Sequence, residues 1–216
     1  MKRSLIPLFL VLCVPFCHCE ILPRKILVLY NRQQIPGKHK DIAYLAVHRF
    51  GEMPLNYLGM ELVYHDLNKP LPDLKTLSHF RGILTWHEND SSDPHPSLTC
   101  QWLNRALERN LKIVVVDHVG LYGATSKEET PLPAHCQNFF NELGGDVSGV
   151  IEPSPLFLDI QTKGNIMGFE RQLSFSDFQK FRIITASPKS TTYLKIRSKA
   201  DASHNSDPIW TSEKGG

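Results

Sequence analysis

The stretch RGILTWHENDSSDPHPSLTCQWLNRALERNLKIVVVDHVGLYG, residues 81–123, decides the fold class. Residues 82–86 form a short apolar run suited to a strand, and Ser97 can cap a helix that follows. The apolar positions of that helix fall on one face: Leu98, Trp102, Leu103, Ala106 and Leu107. Asn110 can take the left-handed turn that ends the helix, and Lys112–Val116 is an aliphatic run typical of a strand buried on both faces. A strand, a helix and a second strand within residues 81–123 predict a right-handed crossover, and therefore a parallel sheet.

The residues before this unit repeat the same alternation. Lys25–Tyr30 (KILVLY) and residues 61–67 (ELVYHDL) are predicted strands, and residues 74–80 a short helix. Asp41 can cap a longer helix between the two strands, and Pro54 is expected to end or kink that helix. Its predicted buried face consists of Ile42, Leu45, Ala46, Phe50 and Met53. The pattern predicts an α/β fold with a mostly parallel, doubly wound sheet of the Rossmann-like or glutamine-amidotransferase-like kind.

The regular alternation of strands and helices ends after Gly123, and from Gly145 onward the apolar runs are short and interrupted. Residues 20–145 form the predicted α/β domain, which ends with a short helix at 134–143. Residues 146–216 contain short, interrupted apolar runs and are predicted to be an irregular, β-rich extension that completes or flanks the sheet. The last residues, SDPIWTSEKGG, are expected to be either a frayed tail or the point where a longer protein continues.

Residues 1–19 are interpreted as a secretory signal. Lys2 and Arg3 precede an apolar run, and Cys17 and Cys19 occupy the small-residue positions before a cleavage site, so the mature chain is predicted to begin near Glu20. The alternative is a membrane anchor, but the apolar run is shorter than the roughly 20 residues that a membrane span needs. No span is expected in the chain that remains after cleavage. Without Lys2 and Arg3 the 24 basic side chains become 22, which equals the 22 acidic ones. This balance gives no electrostatic reason to expect nucleic acid as a partner.

Two cysteines, Cys100 and Cys136, remain after the predicted cleavage. An exported chain can bridge such a pair, but sequence does not establish that the two Cα atoms lie within bridging distance. Neither cysteine has the glycine-flanked position between strand and helix that a nucleophile elbow requires. Residues 118–123 likewise lack the spacing of a dinucleotide-binding loop, and no cofactor is predicted.

Polar and aromatic side chains follow the third and fourth predicted strands, where open parallel sheets bind their ligands. The candidate ligand-binding residues are Trp86, His87, Glu88, Asp90, Asp117, His118 and Tyr122. Imidazole and carboxylate groups suit a divalent metal, but their spacing matches no established metal motif, and a solvated loop explains the first group equally well. Trp86 and Tyr122 are candidates for stacking on a sugar, with ordinary packing as the alternative. His87→Ala is expected to cost within about 0.5 kcal/mol if that residue lies in a solvated loop.

Several segments resemble the N-terminal, Rossmann-like region of bacterial exopolysaccharide-modifying proteins of the Pel-type deacetylase kind. They are KILVLY, PLNYLGMELVYHDL, PLPDL, FRGILTWHEND, WLNRALERNLKIVVVDHVG, IMGFE and the terminal SDPIWTSEKGG. The resemblance implies a polysaccharide deacetylase domain beyond Gly216. The metal-binding motif of such a domain, an Asp-Asp pair with spaced histidines, is absent from these 216 residues.

The predicted secretory signal, the balanced charge of the mature chain and the family resemblance together predict an exported accessory or binding module of an exopolysaccharide-modifying system. This module is expected to be periplasmic or extracellular and to have no catalytic activity of its own. Its expected partners are a polysaccharide or proteins of the exopolysaccharide machinery. The alternative is a polysaccharide hydrolase or deacetylase that uses the His and Asp residues at the sheet end.

Overall fold

The computed structural model describes residues 23–35, 37, 40–87, 93–116, 132–151, 156–160, 172–175, 181–198 and 205–212. Within these ranges the α-helices are α1 (Met53–Tyr57), α2 (Pro96–Glu108) and α3 (Ala134–Glu142). The strands are β1 (Lys25–Tyr30), β2 (Glu61–Asp66), β3 (Phe80–Trp86), β4 (Lys112–Val116), β5 (Gly145–Ile151), β6 (Leu156–Ile160), β7 (Gln172–Phe175), β8 (Phe181–Ala186), β9 (Thr191–Ser198) and β10 (Asn205–Thr211). Short 3-10 helices cover Arg32–Gln34, Ile42–Tyr44 and Leu74–His79.

A four-stranded parallel sheet in the order β2-β1-β3-β4 confirms the predicted fold class. Tyr30 is in register with Asp66, and Leu29 is in register with Thr85, so β1, β2 and β3 end at the same edge. The chain moves from β1 to β2 on one side and then returns to β3 on the other. The crevice between the carboxyl ends of β1 and β3 is therefore the switch point at which open α/β sheets bind ligands.

The larger core lies on the face of the sheet that α2 and α3 cover. Trp102, predicted on the inward face of α2, is 4% exposed, and its indole N–H donates to the Pro72 carbonyl oxygen at 2.9 Å. Leu98, predicted on the same face, is instead 58% exposed, while the next two residues of α2, Thr99 and Cys100, are buried. The predicted cap at Ser97 is also wrong, since Ser97 lies inside the helix. Asn110 has a φ of 59°, which confirms the left-handed turn.

The opposite face is covered by a segment whose helical form changes along its length. The predicted single helix is a 3-10 turn at Ile42–Tyr44, a π-helix at Val47–Glu52 and then α1. The wider π-helical turn changes the phase of the apolar face, so Val47 is buried whereas Phe50 and Met53 are 58% and 80% exposed. The predicted burial of Phe50 and Met53 is therefore wrong.

Strand β4 lies at the edge of the sheet, and its two faces differ. Ile113 is 5% exposed on the α2 side, while Val114 on the other side is 53% exposed. The prediction that Lys112–Val116 is buried on both faces is wrong, because on the side of the smaller core only Val116 packs against that core, and Val114 stays exposed. The backbones of β3 and β4 approach closely at Gly82, where a Cβ atom would lie 2.6 Å from the Lys112 carbonyl oxygen.

The C-terminal strands form antiparallel sheets of their own, in the orders β10-β9-β6-β7 and β5-β8. They therefore flank the parallel sheet and do not extend it. Trp210 joins the two parts, because its indole packs against the larger core and donates to the Leu143 carbonyl oxygen at 3.1 Å. Asp207 accepts from the Ala186 backbone N–H at 2.9 Å and ties β10 to β8.

The predicted secretory signal lies outside the described residues and stays a prediction. Within the described ranges, no helix has both the length and the apolar character needed to cross a membrane.

Candidate functional site

Two of the candidate residues after the third strand are described. Trp86 is half-buried, and its ring packs against the backbone of Gly51 in the smaller core, which is ordinary packing on the π-helical side. His87 is 3% exposed, so its predicted place in a solvated loop is wrong. The remaining candidates lie outside the described residues: Glu88, Asp90, Asp117, His118 and Tyr122.

Buried polar side chains concentrate at one end of the parallel sheet. In the described part of the chain, six of the seven buried polar or charged residues lie near the carboxyl end of β1, β2 or β3, or just before or within the first turn of α2. We call these six the carboxyl-edge cluster: Asn31, Asp66, Thr85, His87, Asp93 and Thr99. Because burial of polar groups is costly unless they are hydrogen-bonded, this concentration marks the edge as the candidate site.

The side-chain oxygens of Asp66 and Asn31 accept hydrogen bonds that organise the ends of β1 and β2. One carboxylate oxygen of Asp66 accepts from the Arg32 backbone N–H at 3.2 Å, the Asn68 backbone N–H at 3.1 Å and the Asn68 side-chain amide at 2.7 Å. The Asn31 side-chain oxygen accepts from the Asn68 amide at 2.9 Å and from the Gln33 backbone N–H at 3.0 Å. Two neighbouring strand ends are thereby joined into one hydrogen-bond network.

The protonation of Asp66 follows from this network. Burial alone raises the pKa of its carboxyl, but the bonds from Asn68 and the Arg32 backbone outweigh it and hold the pKa below the ordinary value of 3.8. Asp66 is therefore ionised at neutral pH, and its charge is satisfied by backbone and amide donors.

Asp93 has the opposite electrostatic character. It lies just before α2, is 5% exposed, and accepts from the His95 backbone N–H at 2.7 Å. Burial raises the pKa of this carboxyl, although hydrogen bonds from Thr99 and His95 act against it. Its second oxygen and the hydroxyl oxygen of Thr85 are both buried without a hydrogen-bond partner among the described residues. These two atoms can accept hydrogen bonds from a ligand or from water.

A cavity of about 320 Å³ opens beside the end of β1. It is lined by Tyr30, Arg32, Lys40, Asp41 and Ile42. Burial raises the pKa of the Tyr30 phenol, and the nearby Asp66 charge adds to the effect, so the hydroxyl keeps its proton and can donate. A cavity of this size accommodates a small molecule.

A second polar group lies on the face of the sheet, away from its end. The Tyr64 hydroxyl donates to a Glu52 carboxylate oxygen at 2.7 Å, and His48 pairs with the same oxygen. Burial and the Glu52 carboxylate together raise the pKa of Tyr64. Both Glu52 and His48 lie on the π-helix, so this group fastens the irregular segment to β2.

Cys100 and Cys136 form a disulfide, a question that the sequence leaves open. The bridge joins α2 to α3 with a Cα–Cα separation of 5.0 Å, and both residues are fully buried. Within the described ranges, no group of three or more His, Cys, Asp or Glu side chains is placed to hold a metal ion.

Sequence reasoning placed the site after β3 and β4 and missed the residues after β1 and β2. Asn31 directly follows β1, and Asp66 is the last residue of β2. The rule that ligands bind at the carboxyl ends of parallel strands applies to these two strands as well. The polar residues at the ends of β1 and β2 are therefore the sequence signal from which Asn31 and Asp66 could have been predicted.

No family model matches this chain, and no curated protein matches it. Among solved structures, it is similar to a glutamine amidotransferase from Thermotoga maritima, with 10% identity, a TM-score of 0.50, and coverage of 88% of this chain and 72% of that one. A second similar structure is a glutamine amidotransferase from Methylobacillus flagellatus, with 12% identity and a TM-score of 0.46 over 89% of this chain. The present chain spans 66% of the length of that protein.

The similarity to the Thermotoga maritima structure overturns the resemblance to Pel-type deacetylases, and with it the predicted role as an exopolysaccharide accessory module and the alternative of a polysaccharide hydrolase or deacetylase. The segments that carried the resemblance are mostly apolar runs of β1 to β4 and α2. Such runs are demanded by any open α/β sheet and do not distinguish one family from another. The chain has the α/β fold that glutamine amidotransferases share, at an identity that shows the fold alone.

Proposed function

We propose that this chain is a glutamine-amidotransferase-like domain that binds a small ligand at the carboxyl edge of its parallel sheet and does not hydrolyse glutamine through a cysteine. The observation that carries the proposal is the disulfide between Cys100 and Cys136. A cysteine attacks a carbonyl as its thiolate, and a sulfur bound to another sulfur has no such form.

The positions of the two cysteines support the same conclusion. Cys100 is the fifth residue of α2 and Cys136 the third residue of α3, so neither lies in a turn directly after a strand. The three other cysteines fall within the first 19 residues. No Cys or Ser in the sequence stands at the centre of a G-x-C-x-G or G-x-S-x-G motif, the turn that exposes a nucleophile above an α/β sheet.

Ligand binding is supported by the carboxyl-edge cluster. Buried polar groups occur at the switch point of the sheet, and two of their atoms, the Thr85 hydroxyl oxygen and one Asp93 carboxylate oxygen, have no partner among the described residues. Leaving such atoms unpaired costs about 1–3 kcal/mol each. A ligand that donates hydrogen bonds to them recovers this cost, which is a physical reason for binding at this edge.

Export is part of the proposal. A buried disulfide is typical of proteins that fold in an oxidising compartment, and the positively charged, apolar start of the sequence has the pattern of a secretory signal. Finding the uncleaved N-terminus on protein in a reducing compartment, with Cys100 and Cys136 as free thiols, would contradict export.

The test of the proposed function is release of glutamate from glutamine. The purified chain is compared with a Cys100→Ser, Cys136→Ser double variant and with the wild type after reduction by dithiothreitol. We expect no release above the buffer rate in any of the three samples. Release by the reduced wild type that the double variant loses would show a cysteine-dependent glutaminase and refute the proposal.

A further inference from the structure

The cavity beside the end of β1 differs from the buried cluster next to it, because basic side chains line it. We infer that this cavity binds a small oxyanion, a carboxylate or phosphate group, between the Arg32 guanidinium and the Lys40 ammonium. The inference rests on the proposed function, since it names the ligand class at the same edge of the sheet.

The backbone of Arg32 is held in place while its side chain stays available. Its N–H donates to Asp66 at 3.2 Å, and its carbonyl oxygen accepts from the Ile35 N–H at 3.2 Å. Among the described residues, no hydrogen bond or ion pair reaches the guanidinium. A guanidinium offers five N–H donors in a plane that matches the oxygens of a carboxylate or phosphate.

Lys40 is fixed at the other side of the cavity. Its ammonium donates to the Gln33 carbonyl oxygen at 2.8 Å and to the Ile35 carbonyl oxygen at 2.7 Å. An ammonium has three N–H donors, so one is left for a ligand. The residue has a φ of 48°, a left-handed conformation that costs a lysine about 1–2 kcal/mol. The two carbonyl bonds offset this cost and hold the positive charge at the cavity.

The charges around the cavity favour an anion. Arg32 and Lys40 supply two positive charges against one negative charge from Asp41, whose carboxylate already accepts from the Ala43 N–H at 3.0 Å. Asp66, the other nearby carboxylate, is ionised as well, but it does not line the cavity, and three N–H donors stabilise its charge. The protonated Tyr30 hydroxyl adds a neutral donor. Two cations and a hydroxyl around one small space are suited to an oxyanion.

A second cavity provides the matched control. It has a volume of about 360 Å³ and is lined by residues that include two arginines, Arg105 and Arg109. Two carboxylates, Asp73 and Glu108, line it as well, so its charges balance. An anion that binds any arginine on this protein will be weakened equally by loss of Arg32 or Arg109, whereas a specific site responds only to Arg32.

The experiment is isothermal titration of the purified chain at pH 7 and constant ionic strength, with inorganic phosphate and with succinate as probes. We expect saturable binding of at least one probe, and preference for one identifies the natural ligand group as phosphate or carboxylate. Arg32→Gln is expected to weaken binding at least about tenfold, Arg32→Lys less, and Arg109→Gln by less than about twofold.

Two outcomes overturn the inference: no saturable binding of either probe, or equal weakening by Arg32→Gln and Arg109→Gln. Thermal unfolding of each variant establishes that it is folded, and Tyr30→Phe, which removes only a hydroxyl, is expected to weaken binding about two- to fivefold. Failure here is distinct from failure of the proposed function, because glutamate release is not measured. A chain that binds neither probe and releases no glutamate refutes the oxyanion site alone.

Discussion

Asp66 provides the most detailed test of how the carboxyl edge is built. Asp66→Ala removes the acceptor for three N–H groups, those of the Arg32 backbone, the Asn68 backbone and the Asn68 side chain. The Asn68 side chain keeps its bond to Asn31 and can turn to water, so the two backbone donors decide the cost. At about 1–2 kcal/mol for each, the variant should lose about 2–4 kcal/mol of unfolding free energy at pH 7.

The contribution of the Asp66 charge to the unfolding free energy depends on pH. The pKa of folded Asp66 lies below 3.8, its value in the unfolded chain, so folding favours the ionised form. The stability that the charge contributes is therefore fully present above pH 3.8 and is lost as the pH falls through the folded pKa. Asp66→Asn, which keeps an acceptor oxygen, should lose less than Asp66→Ala, and its deficit against the wild type should shrink on acidification.

Urea unfolding of wild type and variants between pH 3 and pH 7 measures both effects. Asp73→Ala is the matched control, because Asp73 makes the same kind of bond to the Lys75 backbone N–H at 2.9 Å in an exposed position. It should cost only about 0.5–1 kcal/mol. Equal costs for Asp66→Ala and Asp73→Ala, or an Asp66→Asn deficit that grows on acidification, would refute the reasoning.

Three further predictions concern the core, the disulfide and Asp93. Trp102→Ala should cost about 3–5 kcal/mol in urea unfolding, because it removes a buried indole and its bond to Pro72; a loss below 1 kcal/mol would contradict the packing of α2. Replacing Cys100 and Cys136 by Ala opens a link with a sequence separation of 36 and should cost about 3–4 kcal/mol, whereas an unchanged midpoint would mean that the bridge does not constrain the unfolded chain. Because burial raises the pKa of folded Asp93, its stabilising contribution is full below pH 3.8 and is lost as the pH rises through the folded pKa. The unfolding free energy of Asp93→Asn should therefore rise relative to that of the wild type between pH 4 and pH 7. A relative fall would show that the folded state favours the ionised form.

The parallel sheet could be predicted because its signals are local. Lys25–Tyr30 and Lys112–Val116 are aliphatic runs of strand length, and both strands have the predicted bounds. Asn110 could be placed in a left-handed turn because few residues besides glycine tolerate that conformation. Parallel pairing of the strands then follows from their alternation with helices, whereas the strand order β2-β1-β3-β4 was not predicted.

The features that were missed depend on partners distant in the sequence. The π-helix at Val47–Glu52 exposes Phe50 and Met53, and nothing in the local apolar spacing distinguishes it from an α-helix. His87 follows a strand in a polar stretch, yet the fold buries it at the sheet edge. The disulfide could not be predicted, because it depends on the packing of α2 against α3, and the spacing of two cysteines in the sequence does not determine that packing.

Only part of the candidate site could be predicted from the sequence. The rule that placed ligands after β3 led to His87, but Asn31 and Asp66 join the site through hydrogen bonds to Asn68, a contact across two strands. Arg32 and Lys40 line one cavity because the chain after β1 folds back on itself, with the Lys40 ammonium bound to the carbonyls of Gln33 and Ile35. Tertiary contacts of this kind leave no periodic signal in the chain.

The central claim is that this amidotransferase-like fold has no cysteine nucleophile. The most direct measurement is the intact mass of the oxidised protein after incubation with the diazoketone analogue of glutamine, which alkylates a reactive thiolate in a glutamine site, followed by peptide mapping. Our account predicts an unchanged mass and a linked pair of peptides containing Cys100 and Cys136. A single adduct on either cysteine, blocked by an excess of glutamine, would contradict it.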